Sequence, residues 1–157
     1  MKTDIEISNE NLKGVATLLN TMLADEYLLY TKTRNAHWNI QGKNFMELHK
    51  LFESQYEALD IIIDDTAERV RALGHFALGT LKDFLNVSRL SEQNDDFVGQ
   101  DHIIKTLLTD HESVIRSLRR DITLVSDKYK DLGTADFMTG IMEQHEKIAW
   151  MLRSYLQ

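Results

Sequence analysis

The sequence predicts an all-α chain built as a four-helix bundle, and three observations predict it. Apolar residues recur at three- and four-residue intervals over four long segments, and no strand-like alternation competes with them. The 157 residues include 0 proline, so the strongest helix breaker is missing and long helices are permitted. Four segments of roughly 20 to 30 residues, each apolar on one face, bury those faces most simply against one another in a bundle.

The first segment runs from about Asn9 to His37, with Leu12, Val15, Leu19, Met22, Leu23 and Tyr30 on one face. The second runs from about Asn44 to Leu73 along Phe45, Leu48, Phe52, Tyr56, Leu59, Ile63 and Val70. Asn44, followed three residues later by Glu47, reads as a capping box at its start. A short helix is expected after Thr80, with Leu81, Phe84 and Leu85 as its contacts. The third long segment spans about Asp101 to Ser126, with Ile104, Leu107, Leu108, Ile115, Leu118, Ile122 and Val125. The fourth spans about Thr134 to Leu156, with Phe137, Ile141, Ile148, Leu152 and Tyr155.

Gly42, Gly74 and Gly133 fall where periodic segments begin or end, whereas Gly14 and Gly140 fall inside them. The stretch from Gly74 to Gln100 is long enough to run the length of a bundle, as the crossover of ferritin-like topologies does. The fold class is therefore a ferritin-like four-helix bundle with a short extra helix in the crossover between the second and third long helices. No linker or internal repeat interrupts residues 1–157, which read as one domain.

Composition excludes several function classes. With 0 cysteines there is no disulfide framework, thiolate metal site or cysteine nucleophile. The start of the chain carries no apolar signal-peptide core, and no run approaches a membrane span, so a cytoplasmic location is expected. The net charge of −7 suits a protein that gathers cations better than one whose whole surface grips nucleic acid.

The second helix carries the most informative pattern. At 100° per residue, His49, Glu53, Glu57, Asp60, Asp64 and Glu68 form one stripe beside the apolar one. Charge runs are commonly solvated faces, but those usually mix signs because like charges one turn apart repel. No lysine or arginine stands within this stripe, and a cation would relieve the repulsion. Carboxylates mixed with imidazole suit non-haem iron. His49 with Glu53, and Asp64 with Glu68, are each one turn apart and could each chelate. Yet His49 and Glu68 are separated by about 28 Å of helix, and Glu53 and Asp64 by about 16 Å. The two pairs meet only if a second copy runs antiparallel across a two-fold axis, which creates two identical sites per dimer. A di-iron site inside the bundle would be expected to use Glu-x-x-His pairs, and the sequence contains none.

These residues also carry a resemblance. His37-Trp38-Asn39, Gly42, Phe45 and Leu48-His49 are followed by Asp64-x-x-Ala67-Glu68-Arg69, Leu73-Gly74 and Ala77-Leu78-Gly79-Thr80. With Thr134-Ala135-Asp136 and Trp150, the pattern resembles the Dps family, the DNA-binding proteins from starved cells or mini-ferritins. The resemblance covers nearly the whole chain.

It implies a hollow homo-dodecamer with ferroxidase sites at its two-fold interfaces, two irons per site. It implies His37, His49 and Glu53 as ligands from one subunit, with Asp64 and Glu68 from its neighbour. Glu53 departs from the aspartate that the family commonly has there. The implied activity is oxidation of Fe(II), preferably by hydrogen peroxide, with ferric mineral stored in the cavity as protection against oxidative stress. Trp38 would trap stray oxidising equivalents or serve as an interface-packing indole.

In similar proteins the turn before the last helix lines three-fold pores, which draws attention to Asp127, Asp131 and Asp136 as cation guides. Acidic residues are equally common in turns and at helix starts. Glu57 and Asp60 would face the cavity. His75, His102 and His111 read as surface residues, and His145, on an apolar stripe, as a packed, hydrogen-bonded histidine. Met138, Met142 and Met151 read as core filling, and Tyr27 and Tyr30 as core or interface aromatics. Members that condense DNA use a basic tail. Here Lys2 and Lys13 are offset by Asp4, Glu6 and Glu10, so DNA binding is expected to be weak or absent. The alternative is a nucleoid-binding structural protein without significant ferroxidase activity.

Overall fold

A computed structural model describes residues 3–92 and 99–157. Lys2 and the crossover residues 93–98 lie outside them. Five α-helices follow in order: α1 (Asn9–Asn39), α2 (Phe45–Ala72), α3 (Leu81–Val87), α4 (Gln100–Thr123) and α5 (Leu132–Ser154). A π-helical turn, Leu124–Lys128, continues α4. Among the described residues no helix is long and apolar enough to cross a membrane.

The architecture is the expected bundle. α1 and α2 form one antiparallel pair, seen in the contacts of His37 with His49 and of Tyr30 with Tyr56. α4 and α5 form the other, tied by Arg153 to Glu112 and Arg119 to Glu146. The seam is filled by Leu19, Met22, Leu29, Phe52, Leu59, Leu118, Met138 and Leu152, all fully buried. At about 1.5–3 kcal/mol for each large apolar side chain removed from water, this seam dominates the stability.

The crossover joins opposite ends of the bundle. α2 ends beside the start of α5, where Arg69 donates to the Thr134 hydroxyl at 3.0 and 2.9 Å. α4 instead begins beside the α1–α2 turn, so close that a Cβ on Gly42 would lie 2.8 Å from Gln100 Nε2. Gly42 also holds φ at 119°, a conformation that disfavours any side chain. α2 and α4 therefore run parallel. Along the way α3 stacks Phe84 on Tyr27, ring centroids 4.4 Å apart, and Arg89 pins the strap. Its guanidinium bonds buried Asp25 at 2.7 Å and buried Asp121 at 2.6 Å. Burial opposes the Arg89 charge, but the two carboxylates outweigh it and hold its pKa above the ordinary value.

Three local expectations are corrected. Asn44 is the N-cap of α2, but its side chain makes no capping bond. Its backbone, at φ −99° and ψ 27°, is not in the extended conformation that aims a cap side chain at the next turn. Thr80 does cap α3, accepting from the Asp83 N–H. The third helix does not stop at Ser126. The Tyr129 N–H reaches back to the Leu124 carbonyl at 3.1 Å, a five-residue step, and the wide turn carries the Tyr129 ring onto α1. A Cβ at position 14 would lie 2.4 Å from that ring, which explains a glycine in the middle of α1. Finally, Asp131 is not a free acidic residue of the turn. It is 3% exposed, caps α5 through the Thr134 N–H at 2.9 Å, and pairs with Arg69.

Candidate metal site

His37 closes the last turn of α1 and His49 opens α2, twelve residues on. The Gly42 turn brings them face to face, with ring centroids 3.8 Å apart and planes inclined by 21°. Their hydrogen bonds are reciprocal. His37 Nδ1 donates to the His49 carbonyl at 2.8 Å, and His49 Nδ1 donates to the His37 carbonyl at 2.9 Å. A carbonyl only accepts, so each Nδ1 carries a proton, and in the neutral ring it is Nε2 that holds the lone pair. A ring whose far N–H is held by a backbone carbonyl is the usual posture of a metal-binding histidine. The His37 carbonyl belongs to the last turn of α1, where no helical partner exists, so the bond also satisfies an orphan acceptor.

The surroundings are aromatic and cationic. Tyr56 sets its ring edge to His37 at 5.2 Å, and Phe45 lies 5.1 Å from His49. The Arg34 guanidinium lies over Tyr56 at 4.4 Å and over Trp38 at 5.2 Å, and donates to the Tyr30 hydroxyl at 2.8 Å. Trp38 is 63% exposed, so Arg34 covers only part of its indole.

Glu53, one turn beyond His49, is half-buried, while Asp64 and Glu68 are exposed. α2 is unbroken from Phe45 to Ala72, so the separation of about 28 Å between His49 and Glu68 stands. Among the described residues, no group of three or more His, Asp or Glu side chains gathers closely enough to hold a metal within one chain. Exposed apolar residues flank the stripe: Met46 and Ile61 on α2, and Trp38 at the end of α1. Asp127 and Asp136 are exposed at the α4–α5 turn, as are Glu57 and Asp60 on α2.

Sequence reasoning missed a polar chain in the core. His111, expected at the surface, is 0% exposed. Its Nδ1 lies 2.9 Å from His145 Nδ1, and His145 Nε2 lies 3.0 Å from Glu26 Oε1. Glu26 and His145 are also 0% exposed, so the packed role expected for His145 is observed. Burial, and then the charge of His145, push the His111 pKa well below its ordinary value. The signal was present: Leu107, His111, Val114 and Leu118 follow four-, three- and four-residue steps on the apolar face of α4.

Comparison with known proteins agrees with this architecture. The family model described as a ferritin-like domain matches residues 16–157. The chain is 44% identical over 156 residues to a low temperature-induced protein of Nostoc, covering 99% of this chain and 87% of that one. It is 32% identical to DNA protection during starvation protein 2 of Bacillus anthracis, over 92% of this chain and 97% of that one. The Dps protein of Vibrio cholerae, described as a member of a broad superfamily of ferritin-like diiron-carboxylate proteins, superposes with a TM-score of 0.91. That match has 29% identity and covers 100% of this chain and 98% of that one. The fold and the family-model match define a ferritin-like protein. Within that class, the chain belongs to the Dps family.

Proposed function

We propose that this protein is an iron-oxidising and iron-storing mini-ferritin, with Fe(II) and hydrogen peroxide as its substrates. It assembles as a homo-dodecamer, and each oxidation site is shared by two subunits across a two-fold axis. One subunit supplies His37, His49 and Glu53, and its neighbour supplies Asp64 and Glu68. The reciprocal His37–His49 pair carries this reading, because it fixes two imidazoles by Nδ1 and leaves each Nε2 for a ligand, while among the described residues no group of three or more His, Asp or Glu gathers to complete a site on one chain. The exposed Trp38, Met46 and Ile61 beside the stripe suit burial against a second copy.

The chemistry follows from holding two irons at one site. Each Fe(II) gives one electron, the O–O bond of peroxide breaks, and two protons complete two water molecules. Paired delivery avoids the one-electron step that frees hydroxyl radical. The imidazoles and carboxylates lower the positive charge of the ions and favour the ferric product. Trp38, at the subunit boundary, takes up stray oxidising equivalents. Asp127 and Asp136 draw cations inward at the three-fold positions, and the cavity stores the ferric mineral.

Stopped-flow absorbance after mixing Fe(II) with peroxide tests the assignment. Asp64→Ala combined with Glu68→Ala is expected to abolish the fast peroxide-dependent phase while leaving the particle assembled. An unchanged fast phase would show that iron is oxidised elsewhere.

A further inference from the structure

The chain through Glu26, His145 and His111 joins α1, α5 and α4 inside the bundle, with all three side chains fully buried. It lies apart from the two-fold site, since Glu26 precedes His37 by about 16 Å of helix. No lysine or arginine contact to Glu26 accompanies its bond to His145 among the described residues. The charged groups nearby are engaged with others. On α1, Asp25 is held by Arg89, and Lys32 pairs with Asp110 of α4. Facing α4 from α5, Glu146 pairs with Arg119 and Arg153 with Glu112. Asp121, further along α4, is held by Arg89.

The proton count of the chain is constrained by its burial. With a carboxylate and two neutral rings, the core would hold a bare negative charge, which burial strongly disfavours. One added proton brings the chain to neutrality. Carried on His145, that proton lies beside the Glu26 carboxylate, and His145 donates Nε2–H to Glu26 and Nδ1–H to His111 Nδ1, with the His111 N–H on Nε2. Carried on His111, whose Nε2 has no partner among the described residues, it would put the charge on the ring farther from Glu26. Moving the proton from His145 onto Glu26 gives an equivalent neutral chain with the same His–His bond. A further proton on His111 has only Nδ1 to occupy. Two N–H groups would then face each other across 2.9 Å, and the bond between α4 and α5 would be lost.

We propose that Glu26, His145 and His111 form a hydrogen-bonded latch inside the bundle, and that acid unlatches α4 from α5 by placing a further proton on His111. The lowered affinity of His111 for protons agrees with the geometry, because the folded chain resists what the unfolded chain accepts. The sign follows from linkage. Above about pH 6.5 His111 is neutral in both states, and stability does not depend on it. Below that value the unfolded chain gains a proton that the folded chain excludes, and stability falls with pH.

The test is His111→Gln, whose side-chain oxygen still accepts from His145 Nδ1–H but does not titrate. Urea unfolding at fixed protein concentration is followed from pH 7.5 to pH 5. The wild-type folding constant is expected to fall about tenfold more per pH unit below 6.5 than that of the variant. Superimposable pH profiles would overturn the proposal. Hydrogen exchange of the wild type alone provides a second measurement. Amides of α4 around His111 should lose about tenfold of their protection per pH unit below 6.5, and pH-independent protection would overturn the proposal as well. A metal ion retained by the Asp64→Ala, Glu68→Ala variant but lost in His111→Gln, as measured by elemental analysis, would replace the proton with a cation and equally overturn it.

Discussion

If each oxidation site takes its histidines from one chain and its carboxylates from another, two inactive chains should restore activity to each other. One variant carries His49→Ala and keeps its carboxylates; the other carries Asp64→Ala with Glu68→Ala and keeps its histidines. Alone, each variant assembles particles in which every site lacks one half. In particles assembled at random from equal amounts, a complete site needs histidines from the second variant and carboxylates from the first. Each condition holds with a probability of one half, so about one quarter of the sites are complete. Co-expression with two affinity tags, purification of doubly tagged particles, and stopped-flow oxidation of Fe(II) by peroxide measure the recovery. A rate near one quarter of wild type is expected. Activity no higher than in the single-variant particles would refute the shared site, because an intra-chain site cannot be rescued by mixing. The number depends on α2 remaining a continuous helix from His49 to Glu68, since a sharp kink would let one chain complete its own site.

Arg89→Ala should leave the Asp25 and Asp121 carboxylates buried without their counter-charge, at a cost of about 3–5 kcal/mol. This would appear as a fall of about 2 M in the urea midpoint, and Arg89→Lys should recover only part of it because ammonium lacks the fork that spans both carboxylates. The net charge of −7 should keep plasmid DNA unretarded in a gel-shift assay at moderate salt, and clear retardation would instead favour a nucleoid-binding role.

The helices were legible because their periodicity is continuous and nothing breaks it. Where the reading failed, a tertiary contact had overridden a local pattern. Asn44 and Glu47 have the spacing of a capping box, but the turn from Gly42 fixes the backbone of Asn44 before its side chain can cap. Asp131 looks like a turn acid by neighbourhood, yet Arg69 from the far helix draws it inside. His111 reads as a surface residue from α4 alone, because the partner that buries it is His145, on α5. The stripe on α2 was readable because helix length alone separates its two halves. The reciprocal His37–His49 bonds were not, since twelve-residue spacing says nothing about which ring nitrogen faces which carbonyl.

That pair of bonds has a consequence for how the site gains affinity. A free histidine side chain samples several rotamers, and a ligand that orders two of them loses part of its binding free energy in doing so. Here both imidazoles are frozen by the backbone of the same chain, before any ion arrives. The fold has therefore already met the entropic cost of aligning the nitrogens. The α1–α2 turn is preorganised, and in the proposed site only the neighbour's carboxylates remain to be brought in. If the proposed site is shared in this way, dissociating the assembly into single subunits should release bound metal even though both imidazoles keep their places.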